Sequence, residues 1–280
     1  MPLTHRIGPL TVIAVEDAAG PFFEHRSAAF PTATPRQWAE ADAFDPDALT
    51  AEGEWLLRFR SYCVRVGDGP AILVDAGIGP AGSLAADWAP VPGRLPEALA
   101  EAGVAPTDVS AIVLTHLHND HMGWAVPRDS PFTDARVVVQ QSDVDAYAAS
   151  REWAGQYDLL IEPLRAAGRL EVLDGDRVLA PGVRVVPTPG HTPGHQSVLI
   201  SSGTEKAVIL GDASHTPVQI LHPEWSPRYD TDGEMSARTR ASLFERIEQE
   251  GLTVAAGHYP APGFGGIVMV EGKRRWKALS

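Results

Sequence analysis

Thr115-His116-Leu117-His118-Asn119-Asp120-His121 sets three histidines and an aspartate directly behind the apolar run Ala111–Leu114. With 10 histidines in 280 residues, this spacing would arise by chance on the order of once in a thousand such chains. A strand therefore delivers His116 to its carboxyl end, and a tight loop holds the other three side chains. Imidazole and carboxylate together suit zinc and its neighbours in the first transition row. One tetrahedral catalytic zinc takes about three protein ligands and keeps one position open. This loop alone offers four candidates, which points to two ions. His116 and His118 hold the first, while Asp120 and His121 can turn to a second.

The remaining ligands should then also stand at strand ends, and four further runs meet that condition. Val183–Pro187 leads through Thr188-Pro189-Gly190 to His191. Ala207–Leu210 leads through Gly211 to Asp212, Thr253–Ala256 through Gly257 to His258, and Ile72–Val74 directly to Asp75. A Gly-Asp or Gly-His after a strand is ordinarily a turn. Recurrence of the same context, in a chain that already carries the histidine cluster, favours a shared site. The glycines are expected to remove side-chain bulk where backbone and metal come close.

Other segments read as a mixture. Leu10–Val15, Trp55–Val66, Arg136–Gln140 and Ser197–Ile200 have strand character. Helices are predicted from Pro35, capped by Thr34, to about Ala43, over Leu95–Gly103, over Ser142–Gln156 and over Glu234–Glu250. The last has Thr231 and Glu234 at capping-box spacing and Gly251 as its stop. This predicts a mixed α/β fold in one domain spanning residues 1–280. Asp17–Glu54, with Phe22, Phe23, Phe30, Trp38 and Phe44, and Gly79–Pro96 around Trp88 read as long loops, lids or contact arms.

Composition narrows the partners. The net charge of −13 argues against nucleic acid and against a polybasic membrane anchor. The single cysteine, Cys63, cannot form an intramolecular disulfide and reads as a buried small hydrophobe. No apolar run reaches the roughly 18 residues of a membrane span, and residues 1–20 do not read as a signal peptide. The expectation is a soluble, cytoplasmic protein acting on a small molecule.

The pattern His116-x-His118-x-Asp120-His121, followed by His191, Asp212 and His258, resembles the dinuclear hydrolase motif of the metallo-β-lactamase superfamily, over about Leu10–Val270. That resemblance implies an αββα sandwich with the metals at one edge of two sheets. It implies His116, His118 and His191 on the first metal, Asp120, His121 and His258 on the second, and Asp212 bridging them. Asp75 matches the superfamily's early aspartate, which holds a ligating histidine from behind. With the ligand set full, His195 is read as a supporting histidine.

Thr188-Pro189-Gly190-His191-Thr192-Pro193-Gly194-His195-Gln196 and Gly211-Asp212-Ala213-Ser214 are similar to the N-acyl homoserine lactonases, the quorum-quenching branch. Those enzymes carry a tyrosine near the metals where this chain has His215. His215 with Pro217-Val218-Gln219, and Gly257-His258-Tyr259-Pro260, look more like the methyl parathion hydrolase branch, as does the aromatic N-terminal segment. There such a segment contributes to the pocket and to a dimer contact.

The resemblance therefore implies a hydrolase of lactones or related esters, in which two divalent ions, zinc or else manganese, iron or cobalt, share a bridging hydroxide. Asp120, Asp212 and His215 are the catalytic candidates, and a homodimer is implied. The alternatives are a phosphotriesterase-like hydrolase of aryl leaving groups and a ligand-sensing regulator with little turnover. Zinc β-lactamases fit less well, since they carry a cysteine at the position of Asp212.

Overall fold

The computed structural model describes residues 3–279, without the side chains of Phe44 and Pro46. Two seven-stranded sheets form its centre. The first runs in sequence order: β1 (Leu3–Ile7), β2 (Leu10–Pro21), β3 (Leu56–Val66), β4 (Ala71–Val74), β5 (Val109–Val113), β6 (Arg136–Gln140) and β7 (Leu170–Leu173). The second runs in the same way through β8 (Arg177–Ala180), β9 (Val183–Pro187), β10 (Gln196–Ser202), β11 (Glu205–Ile209), β12 (Thr253–Ala255), β13 (Phe264–Val270) and β14 (Lys273–Ala278).

The period-2 alternation of these strands builds the layers. Tyr62 and Val64 of β3, with Ile72, Val74 and Val113, face Val185, Val198, Ile200 and Ile209 of the other sheet in one buried cluster. Their neighbours Cys63, Leu73 and Ile112 point outward, onto Leu95, Leu99, Val144, Tyr147 and Leu164 of the flanking helices. Across the molecule Leu199, Val208 and Val254 pack on Leu243, Phe244 and Ile247 of helix Gly233–Glu250. The order of layers is helix, sheet, sheet, helix, in agreement with the αββα expectation, and Cys63 is buried as expected.

Strand direction sets the functional edge. β4, β5 and β6 are parallel, so their carboxyl ends lie together. β11 and β12 are parallel, and β9 shares their direction because both β9 and β11 run antiparallel to β10. Asp75, His116, His191, Asp212 and His258 therefore all leave strands at carboxyl ends.

Several expectations are corrected. β2 continues to Pro21 past a bulge between Glu16 and Ala18, so residues 17–21 are strand and not loop. The remainder of Asp17–Glu54 folds back on its own chain. Phe30, Trp38 and Trp55 pack with Trp225 in a fourth apolar cluster. Helix Pro35–Phe44 has the expected Thr34 cap, completed by Gln37 as a capping box, while the Phe44 side chain lies outside the described atoms. Ser142–Gln156 is not one helix: Gln141–Ala149 ends at Ser150, and Ala154–Gln156 runs into a π-helical turn at Tyr157–Ile161. The cap of Gly233–Glu250 is Asp232, which accepts from Met235 N at 2.9 Å, while Thr231 N and Asp232 N are bonded to His191 O and Gly190 O. Among the described residues no helix is long and apolar enough to cross a membrane.

Two glycines separate steric from conformational demand. Gly251 ends its helix in the left-handed region at φ 64°, and an added Cβ would meet nothing within 4 Å. Gly123 has an ordinary φ of −53°, yet its Cβ would lie 2.3 Å from the backbone carbon of Ile78. Gly251→Ala should cost about 1 kcal/mol, whereas Gly123→Ala should cost several times more, because backbone on both sides must move. Urea unfolding of the metal-free proteins compares them, and equal midpoints would contradict this.

Candidate metal centre

β5 ends at Val113, and the chain turns through Leu114 and Thr115 into the His116–His121 loop. Asp75, at the end of β4, stabilises that turn by accepting from Thr115 N at 2.7 Å and Thr115 Oγ1 at 3.0 Å. His191, Asp212 and His258 arrive from β9, β11 and β12. The two sheets thus bring together all seven side chains read as ligands. His116, His118, His191 and Asp212 present ligand atoms within 4.8 Å of one another, and Asp120, His121 and His258 do the same.

The hydrogen bonds assign the tautomers. His121 Nδ1 donates to Asp75 Oδ2 at 2.9 Å, His191 Nδ1 to Asp230 Oδ1 at 2.8 Å and His258 Nδ1 to the Arg58 carbonyl at 2.8 Å. Thr115 Oγ1, having given its proton to Asp75, accepts from His116 Nδ1 at 3.0 Å. Each Nε2 therefore points into the cluster, where a cation can take its lone pair. His121 Nε2 and His258 Nε2 lie 3.3 Å apart, and His191 Nε2 lies 2.9 Å from His118 Nδ1. Asp212 stands between the groups. Its Oδ1 is 3.3 and 3.2 Å from His121 and His258 Nε2, and its Oδ2 is 3.4 and 3.8 Å from His191 and His116 Nε2.

Facing lone pairs and carboxylates repel unless a cation lies among them. His116 Nε2 and Asp212 Oδ1 are buried without a hydrogen-bond partner. Burial, then the neighbouring His121 and His118, holds the His116 imidazole well below its ordinary pKa. Burial brings His118 down to about 3. At the other end, burial is outweighed by Asp212, Asp120 and Asp75, so His121 is pushed well above its ordinary value. Burial likewise opposes the charge of Asp120, but His121 and His258 bring it to about 2. The donor set and its field fit divalent cations.

His195 takes the supporting place. Its Nε2 accepts from Asp212 N at 2.9 Å and its Nδ1 faces Thr188 Oγ1 at 2.8 Å, so both ring nitrogens are used inside the fold. His215 lines the site with Nε2 3.1 Å from Asp212 Oδ2 and its ring parallel to that of His258. The glycines ahead of the ligands have a reason other than metal approach. A Cβ on Gly190 would lie 2.3 Å from Ser236 N, and one on Gly211 2.7 Å from Thr115 Cβ. They let other protein atoms, not metal, come close: backbone at Gly190 and the Thr115 and His195 side chains at Gly211.

Above the cluster opens a cavity of about 690 Å³. Its floor includes His118, Asp120, His191, Asp212, His215 and His258, and its walls are Phe22, Phe23, Trp55, Leu57, Trp88, Trp153 and Tyr229. Both aromatic-bearing loops singled out in the sequence contribute, through Phe22 and Phe23 and through Trp88. Trp124 does not; its Nε1 donates to Asp17 Oδ1 at 3.1 Å, within the core.

Two residues here escaped the sequence reading. Asp230 holds His191, and no strand precedes it. Asp143, on helix Gln141–Ala149, accepts from Thr192 Oγ1 at 2.9 Å and Gly194 N at 2.5 Å, pinning the His191 loop. Its only sequence signal is a carboxylate near a helix start.

A model of the metallo-beta-lactamase superfamily matches residues 58–258 of the chain. An N-acyl homoserine lactonase from a Bacillus species is 31% identical over 166 residues, 59% of this chain and 62% of that protein. The N-acyl homoserine lactonase AttM of Rhizobium radiobacter is 30% identical over 166 residues, 56% of this chain and 61% of that protein. The match thus spans somewhat less than two thirds of these relatives' length. Among solved structures, the hydrolase AbOPH of the beta lactamase superfamily superposes with a TM-score of 0.86 at 26% identity, covering 100% of this chain and 97% of that one. AidC, a dizinc quorum-quenching lactonase in complex with a product, superposes with a TM-score of 0.81 at 23% identity and the same coverage, a likeness of fold.

Burial pushes the Asp143 carboxyl up from 3.8 to about 6, so the folded state binds its proton more tightly than the unfolded state does. The stability it contributes is full below about pH 4 and is lost as pH rises through 6. Asp143→Asn removes that dependence. In metal-free protein its stability relative to wild type should rise by about 2 kcal/mol between pH 4.5 and 7, read by urea unfolding at the two values. A constant difference would show that Asp143 titrates normally.

Proposed function

The chain belongs to the metallo-beta-lactamase superfamily, and on that premise we propose that it is a metal-dependent hydrolase that opens lactones or cleaves related esters. The observation that carries this reading is the convergence of imidazole lone pairs on a buried Asp212 at the floor of an apolar cavity. His116, His118 and His191 would hold one cation, Asp120, His121 and His258 a second, and Asp212 would touch both. Two divalent ions bound there, zinc or else manganese, iron or cobalt, supply a water-derived nucleophile at neutral pH and Lewis acidity toward a carbonyl oxygen.

The chain's own groups do the rest. Asp120 orients the attacking water by accepting one of its hydrogens at a carboxylate oxygen. Asp75, Asp230 and the Arg58 carbonyl fix the imidazoles before substrate arrives, so no reorganisation is needed during the reaction. His215, whose pKa burial lowers against the pull of Asp212, points Nε2 at Asp212 Oδ2 and donates a hydrogen there. That hydrogen engages Asp212 in the free site and lies in the wall against which a substrate oxygen would rest. The aromatic walls exclude water and receive the apolar portion of the substrate. A cavity of about 690 Å³ lies within the usual range for small-molecule sites. Attack on the lactone carbonyl breaks the ring C–O bond and leaves a hydroxy acid, which ionises and releases one proton.

A second reading is favoured by the same walls. Phe22, Phe23, Trp88 and Tyr229 meet edge-on or tilted around one volume, which suits an aryl leaving group as well as an acyl chain. The implied activity is phosphotriesterase-like.

The ligand assignment predicts that Asp212→Ala and His191→Ala each lose bound metal, measured by metal analysis after desalting, together with hydrolysis. Full retention of two ions in both variants would sink the dinuclear reading. For the substrate, proton release from a long-chain acyl-homoserine lactone by zinc- or manganese-loaded protein should give kcat/KM at or above about 10⁴ M⁻¹s⁻¹. Metal-loaded protein that turns over aryl phosphotriesters and no lactone would establish the second reading. No turnover on either class would favour a sensing protein.

A further inference from the structure

The apolar stripe of helix Gly233–Glu250 contains one charged residue. Arg240 stands one turn before Leu243 and Phe244 and is fully buried. Removing a guanidinium from water is costly, and burial pushes its pKa below the ordinary value against the pull of Asp230. An aliphatic side chain would fill the same space without that cost, so the arginine stands there for what it binds.

All five of its N–H groups are answered. Nε donates to Ala213 O at 2.7 Å. Nη1 donates to Pro223 O at 2.7 Å and Trp225 O at 2.9 Å. Nη2 donates to Ser236 Oγ at 2.8 Å and Asp230 Oδ2 at 3.4 Å. Three of these acceptors lead to the site. Ala213 directly follows Asp212. Asp230 takes the Nδ1 proton of His191 on its other oxygen at 2.8 Å. Trp225 O also accepts from Gln219 Nε2 at 2.8 Å, and Gln219 Oε1 accepts from His215 N at 2.7 Å. One planar fork reaches Asp212, His191 and His215 from behind; lysine, with three donors on a single atom, cannot reproduce it.

We propose that Arg240 is the positioning residue of this site: by holding Asp230 and the Ala213 carbonyl it fixes the His191 imidazole with its Nε2 lone pair inward and the Asp212 carboxylate between the two groups of ligands. The inference rests on the metal-binding reading above.

The test uses Arg240→Lys and Asp230→Asn in the full chain, with folding checked by circular dichroism. In Asp230→Asn, Arg240 turns the amide oxygen toward itself, so the amide NH₂ faces His191 and shifts its proton from Nδ1 to Nε2. Nitrogen-15 chemical shifts of the His191 ring in metal-free protein should report that switch, while His258, bonded to the Arg58 carbonyl, keeps its tautomer. Zinc titration against a chromophoric chelator should show one of the two affinities falling about 10–100-fold in each variant.

Unchanged zinc affinities in folded Arg240→Lys, or an unchanged His191 tautomer in Asp230→Asn, would overturn the proposal. So would equal weakening of both ions in Asp230→Asn, which would mark a general scaffold role. If Arg240→Lys does not fold, Asp230→Asn decides alone. Wild-type protein that binds no zinc would instead overturn the metal reading, and the His191 tautomer would still decide this one.

Discussion

Mutual repulsion among buried ligand atoms is the constraint around which this structure is arranged. Imidazole lone pairs meet at 2.9 to 3.3 Å, with two carboxylates among them, inside a region where charge is poorly screened. Nothing local favours that arrangement. It persists because four of the five rings are held at the far nitrogen: His116 by Thr115, His121 by Asp75, His191 by Asp230 and His258 by the Arg58 carbonyl. Asp212 is held through its backbone by His195. The supporting groups come from both sheets and from the helix side, so the arrangement is secured only by the closed fold.

This explains what the sequence revealed and what it concealed. The candidate ligands stand behind β5, β9, β11 and β12, and Asp75 behind β4; these runs are apolar because both sheet faces are covered, so strand ends and site were legible together. The edge strands β1, β7, β8 and β14, and β13 beside β14, were not, because they bury little. The segment Lys273–Ala278 is charged along most of its length, and Phe264–Val270 contains Gly265 and Gly266. The ligand glycines were noticed for the right position and the wrong reason, since Gly190 and Gly211 make room for Ser236 and Thr115.

The residues behind the ligands were concealed for a different reason. A hydrogen bond between side chains far apart in sequence leaves no spacing to recognise: Asp230 is 39 positions from His191 and Asp75 is 46 from His121. Asp75 was found only because it also ends a strand. Arg240 did leave a signal. It falls at i, i+3, i+4 and i+7 with Leu243, Phe244 and Ile247, and a permanent charge inside an apolar stripe requires a set of acceptors somewhere in the fold.

The loop between Trp225 and Asp232 joins the two halves of the cavity. Arg228 donates to Glu24 at 3.0 Å, and Tyr229 bonds the same carboxylate, tying the loop to the segment that carries Phe22 and Phe23. Its next residue, Asp230, holds His191, and Thr231 and Asp232 donate backbone hydrogen bonds to His191 and Gly190. Tyr229 in the cavity wall and Asp230, the carboxylate that holds His191, are therefore adjacent residues of one chain segment. Any molecule seated against Tyr229 would press on the same backbone that positions His191, so the cavity wall and the geometry of His191 are mechanically one property of this loop, anchored from below by Arg240.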